Sequence, residues 1–173
     1  MSAWREQSLS MLLGAGCVLG CAACAADGAD SGCAACATVE VDAVLGTVST
    51  YQSQLVSIND EPVASLALGA PVRVWASTDV AEAYRRLDPL DDGAIAVVEE
   101  GATLVREVLA TDGTVTKLTV LYKGPPDYRP DAGNLWFAVT TPSGDALAEG
   151  ALEECFACHV TRASNGYLFG LHR

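Results

Sequence analysis

Three residues near the end of the sequence have the types and spacing to do chemistry together. They are Cys155, Cys158 and His159, in the stretch Cys155-Phe156-Ala157-Cys158-His159. On a helix, positions i, i+3 and i+4 share one face, so two thiols and an imidazole would point at one object. Cys-x-x-Cys-His is the spacing of c-type haem attachment. The thiols can add to the haem vinyl groups while the imidazole binds the iron from the same side. Two other chemistries use Cys-x-x-Cys, a redox dithiol and half of a zinc site. A redox dithiol is not usually followed by His. A zinc site needs further ligands, and the only other histidine is His172.

The rest of the sequence bears on the iron's sixth position. The two methionines, Met1 and Met11, both lie in the leader, so the domain offers no methionine ligand. His172 lies 13 residues beyond His159, a tight span for reaching the opposite haem face. Lys117 and Lys123 are the remaining nitrogen candidates. The expected site is therefore five-coordinate, with His159 proximal and an open distal side. An open site binds small molecules such as nitric oxide, carbon monoxide or hydroxylamine, whereas a site built for electron transfer is usually closed; pocket polarity and access then set the outcome.

Composition narrows the partners. The chain has 173 residues, half of them apolar, which suits one domain plus a leader. Ten basic residues against 22 acidic give a formal net charge of −12. Such a surface repels nucleic acid and anionic lipid. The expected partners are a small gaseous or nitrogenous ligand and a redox protein, with membrane contact only through an N-terminal anchor.

Five of the seven cysteines precede residue 37. Arg5 followed by the apolar run Ser8 to Gly20 has the layout of a signal peptide over residues 1–20, and residues 21–46 read as an Ala/Gly/Cys-rich tether. Val18-Leu19-Gly20-Cys21 resembles a bacterial lipobox, which makes Cys21 a lipidation candidate and Cys17 a second one. A plain cleaved signal and an uncleaved anchor, which the uncharged run Gln7 to Ala26 is long enough to form, are the alternatives. Each exports the domain, to the periplasm or to an outer-membrane anchor, consistent with haem attachment outside the cytoplasm. Cys21, Cys24, Cys33 and Cys36 resemble a zinc set. Their two pairs are only eight residues apart, short of the usual roughly 15–20.

Residues 47–173 must position the motif. Val48, Tyr51 and Leu55 are at helical spacing and predict a helix over Thr47 to Ile58. Pro71 to Ala76 reads as a strand, with Val72, Val74 and Ala76 on one face and Arg73 and Trp75 on the other. Asp79-x-x-Glu82 resembles a capping box opening a helix to about Leu87. Ala94 to Glu99 reads as a short apolar strand. Thr103 to Thr111 and Thr114 to Lys123 flank Asp112-Gly113, a strong hairpin signal. Gly124-Pro125-Pro126 breaks the chain, Asn134 to Thr141 is a further strand, and Pro142 to Asp145 is a turn. A last helix, Ala151 to Arg162, carries the motif; Asn165-Gly166 closes it, and Tyr167-Leu168-Phe169 can fold back as a cover. The expected class is α+β: an antiparallel sheet of four or five strands with short helices and a C-terminal haem-attachment helix.

With these pieces in order, the chain resembles the β-sheet mono-haem cytochromes that include cytochrome P-460 and cytochrome c′-beta. The matching pieces are Val72-Arg73-Val74-Trp75 followed by Ala81-x-x-Tyr84, Asp92-Gly93 with the segment after it, Gly133-Asn134-x-Trp136-Phe137, and Cys155 to His159 followed by Leu168-Phe169. The resemblance implies a homodimer of sheet-rich subunits, one covalent haem c, His159 as proximal ligand and an open distal pocket. The hydroxylamine-oxidising members cross-link a lysine to the haem; in the frame Asp92 to Glu99 that position is Val98, so no cross-link is expected. Their distal carboxylate falls at Thr119, which has no carboxylate to act as a general base. Their distal arginine matches Arg73. The function this implies is an exported cytochrome that binds or detoxifies nitrogen oxides such as nitric oxide. A periplasmic electron carrier, a hydroxylamine oxidase and a thiol redox protein are the alternatives.

Overall fold

The computed structural model describes residues 37–91 and 95–171. The proposed leader, Cys21 and the other early cysteines, Asp92-Gly93 and His172 lie outside them. Among the described residues no helix is long and apolar enough to cross a membrane.

The core is an antiparallel sheet of seven strands. The strands are β1 (Val56–Ser57), β2 (Val63–Ser65), β3 (Ala70–Ala76), β4 (Thr103–Leu109), β5 (Val115–Lys123), β6 (Leu135–Thr140) and β7 (Ala146–Gly150). They run in the order β1-β3-β4-β5-β6-β7, and β2 also pairs with β3. Among the described residues, four helices accompany them: α1 (Val41–Ser49), α2 (Tyr51–Gln54), α3 (Thr78–Arg86) and α4 (Glu153–His159). In the same residues, 3-10 turns lie at Pro130–Ala132, between β5 and β6, and at Val160–Asn165, after α4. The α+β class with an antiparallel sheet is as expected, with two or three more strands.

Period-2 alternation divides the sheet between two cores. One face carries Val72, Val74, Ala76, Leu104, Leu121, Leu135 and Phe137, covered by Val80, Ala81 and Tyr84 of α3 and by Leu168. The other carries Trp75, Val105, Leu118, Val120, Trp136 and Ala138, covered by Val44, Val48 and Tyr51. Each fully buried Val, Leu or Phe adds about 1.5–3 kcal/mol. Trp136 and Phe137, adjacent in sequence, therefore serve opposite cores. Cys155 and Phe156 pack against the first face, which is the motif face.

The helix expected from Thr47 to Ile58 is replaced by α1, α2 and β1. Ser49 Oγ and Thr50 Oγ1 both donate to the Gly46 carbonyl, at 2.8 and 3.1 Å. Such side-chain bonds compete with the helical ladder, and Thr50 leaves helical geometry at φ −126°. α1 also begins inside the stretch read as tether, and its Val44 and Val48 are core residues. In α3 the cap is Ser77, two residues before Asp79. Its carbonyl accepts from Val80 and Ala81, while its hydroxyl accepts from the Thr103 amide at 3.1 Å.

Residues 95–99 form no strand. β4, the next strand, is already paired on both edges, by β3 and β5. The segment instead lies against Gly166, where an added Cβ would meet Ala96 O and Val98 Cγ2, each at 2.7 Å. Val98 is buried, while Ile95 and Val97 are exposed. β7 was missed because Ala-Leu-Ala-Glu-Gly has weak strand composition; the turn Thr141 to Asp145 brings it back onto β6.

Candidate haem-binding site

α4 is short, and it begins with Glu153 and Glu154 in its first turn and ends at His159. The two acids at its start suit the helix macrodipole, which favours negative charge there. Cys155, Cys158 and His159 all fall in this one helix, at spacings that share a face. Neither thiol is in a disulfide; Cys155 is half-buried and Cys158 exposed. Burial pushes the Cys155 thiol pKa up, with Glu154 and Cys158 adding to the shift. Arg129 steadies the helix start: its guanidinium lies 5.8 Å from the Phe156 ring centre and 4.0 Å from the Glu153 carboxylate.

His159 is fixed from three sides. Its ring lies 5.2 Å from Phe137 of β6 and 5.2 Å from Phe169. Its Nδ1 is 2.6 Å from the carbonyl oxygen of Tyr167. A carbonyl can only accept, so Nδ1 carries the proton and Nε2 keeps its lone pair. Burial, and then the nearby Arg106 cation, lower the His159 pKa to about 4, against the opposing pull of the Tyr167 bond. At neutral pH the ring is therefore uncharged, the form that ligates a metal.

The chain after α4 is shaped to deliver that carbonyl. Gly166 and Tyr167 are both left-handed, at φ +63° and +64°. For Tyr167 this costs about 1–2 kcal/mol, and packing repays it. The Tyr167 ring lies over Gly133, where an added Cβ would sit 2.2 Å from Cε2. The Tyr167 amide also donates to the Arg162 carbonyl at 2.7 Å.

The other candidates divide by face. Val98 is beside the motif segment through its contact with Gly166. Thr119 lies on the motif face, opposite Arg106 on β4 and Val139 on β6, and all three are half-buried. Arg73 does not join them. It alternates with the inward residues Val72 and Val74 and points to the other core, where Nη1 lies 3.5 Å from Glu107. Glu107 is 1% exposed and also accepts from Tyr51 Oη at 2.6 Å, Trp75 Nε1 at 3.1 Å and Gln52 Nε2 at 3.2 Å. Strand parity thus places Arg73 on the sheet face away from His159, as its alternation with Val72 and Val74 required. Lys123 donates to the Gly133 carbonyl at 2.8 Å.

Two contributors went unrecognised in the sequence. The Tyr167 carbonyl is a backbone group, and residue type says nothing about it. Arg106 was legible, since two-residue alternation from Leu104 puts it on the motif face. These donors fit a c-type haem: two free thiols, one neutral imidazole with Nε2 available, and an apolar sheet face beside them. No known protein-family model and no curated protein matches the chain.

Proposed function

We propose that the chain is an exported mono-haem c-type cytochrome whose iron is five-coordinate and takes a small nitrogen oxide, above all nitric oxide, at its open side. The observation that carries this reading is the His159–Tyr167 bond, on a helix that also holds two free thiols at attachment spacing. Cys155 and Cys158 would hold the haem covalently, and His159 Nε2 would ligate the iron. Bound there, the iron supplies a coordination position for a small molecule.

The protein's own groups set the conditions. The Tyr167 carbonyl orients the imidazole and raises its basicity as a ligand. Phe137 and Phe169 pack against the ring and shield two of its sides. The domain has no methionine to close the sixth position. Val98 in place of a lysine, and Thr119 in place of a carboxylate, favour binding over hydroxylamine oxidation, within the cytochrome P-460 and c′-beta resemblance.

A pyridine haemochrome spectrum of the purified protein, followed by ferrous spectra with carbon monoxide and nitric oxide, tests this. Covalent haem with a high-spin ferrous spectrum that responds to both gases is expected. A low-spin ferrous form that binds neither would remove the open-site reading. Absence of haem would remove the cytochrome reading altogether.

A further inference from the structure

The motif face is covered unevenly. One cross-strand row, Ala76, Leu104, Leu121 and Phe137, is at most 5% exposed. The next row, Val74, Arg106, Thr119, Val139 and Ala148, is open at its middle, where Arg106, Thr119 and Val139 are half-buried. Lys117, two residues before Thr119 on β5 and opposite Val108, projects from the same face and is also half-buried. Cross-strand diagonal neighbours of this kind lie about 7–8 Å apart, within reach for long side chains.

Among the described residues neither cation is paired with an acid. Arg106 Nη2 donates to Tyr84 Oη at 3.2 Å, and Tyr84 Oη donates to the Gly170 carbonyl at 3.2 Å. Those partners are uncharged. Among the described residues, no carboxylate lies within ion-pair distance of Arg106 or Lys117. The chain has 22 acidic residues against 10 basic, so two half-buried cations on one apolar face with no carboxylate partner among the described residues can take an anionic complement.

We propose that Arg106 and Lys117 form an anion-recognition strip that receives the two propionate carboxylates of the haem, with Tyr84 holding the Arg106 guanidinium in place. This rests on the haem reading above and deepens it. A haem is an apolar disc with two carboxylates, and this strip is an apolar surface with two cations. Arg106 and Lys117 are positioning residues.

The test uses the haem-loaded protein, with haem content measured first by pyridine haemochrome. A cation beside the haem favours the ferrous state and holds a carboxylate ionised. Arg106→Gln should lower the midpoint potential. It should also move the pH at which the potential begins to fall upward by about one unit or more. Lys117→Gln, at a half-open position, should shift both in the same direction, and Arg106→Lys should stay near the parent. A haem-loaded Arg106→Gln or Lys117→Gln protein with parental potential and pH profile overturns the proposal while leaving the haem reading intact. A parent without covalent haem overturns both. A ferric nitrite titration separates the two sources of anion. If Arg106→Gln weakens nitrite binding tenfold with an unchanged potential profile, the strip serves a free anion and the propionate assignment is wrong.

Discussion

His159 Nδ1 lies 2.6 Å from the Tyr167 carbonyl oxygen, eight residues along the chain. That bond decides which ring nitrogen is free, and it depends on the left-handed pair Gly166 and Tyr167. Gly166 is tight as well as left-handed, with Ala96 O and Val98 Cγ2 each 2.7 Å from a would-be Cβ. Gly166→Ala should therefore destabilise the domain by about 2–4 kcal/mol, from left-handed strain and overpacking together. Gly46→Ala is the control: it sits inside α1 with nothing within 4 Å, and should stabilise by up to about 1 kcal/mol. Urea unfolding of both variants checks the contrast.

The neutral imidazole has a consequence for the haem-free chain, in which no iron competes for Nε2. The His159 pKa is lowered from 6.5 to about 4 in the folded state. Between those values the unfolded chain binds more protons than the folded one, so stability falls as pH drops through 6.5 and the loss levels off near pH 4. The full effect is at most about 3 kcal/mol. A Cys155→Ala/Cys158→Ala chain unfolded in urea at pH 7.5 and pH 4.5 should show it. Adding His159→Gln should remove that part of the pH dependence; an unchanged pH dependence would mean that the His159 imidazole is not desolvated in the folded chain.

The strands were readable because alternation and turn chemistry agreed. Val72, Val74 and Ala76 face one core as their spacing required, and Asp112-Gly113 makes the β4–β5 turn with Gly113 at φ +84°. The segment 95–99 misled because apolar composition reports burial, and pairing depends on which strand edges are free. The motif was plain, but its surroundings were not. Arg73 and Arg106 are both arginines on strands, and alternation gives the face of each within its own strand, but only the pairing, Arg73 opposite Glu107 and Arg106 opposite Thr119, shows what stands beside them.

That register separates two roles for arginine. Arg73 contacts Glu107 at 3.5 Å with its own side chain 35% exposed but the carboxylate only 1% exposed, so Arg73→Gln, which removes a charge from beside a buried carboxylate, should cost about 1–3 kcal/mol. It should leave carbon monoxide and nitric oxide binding as in the parent, since it lies across the sheet from the motif. Glu107→Ala should cost more, about 3–5 kcal/mol, because it strands the buried Tyr51 hydroxyl, the half-buried Trp75 Nε1 and the Arg73 charge. Denaturant midpoints paired with ferrous gas titrations read both effects. A loss of gas affinity in Arg73→Gln at parental stability would place Arg73 at the site after all.

The two thiols should differ until they are capped. Cys158 is exposed, whereas burial, Glu154 and Cys158 all push the half-buried Cys155 thiol pKa upward. Only the thiolate is nucleophilic, so a raised pKa and restricted access act in the same direction. In the haem-free wild-type chain, limiting iodoacetamide at pH 8 should label Cys158 several-fold to about tenfold faster than Cys155. Peptide mass spectrometry of the 155–158 region resolves the two sites. Both should resist labelling in the haem-loaded protein, where each sulfur is a thioether. Labelling of Cys158 in a preparation that carries a full complement of haem would mean that attachment uses Cys155 alone.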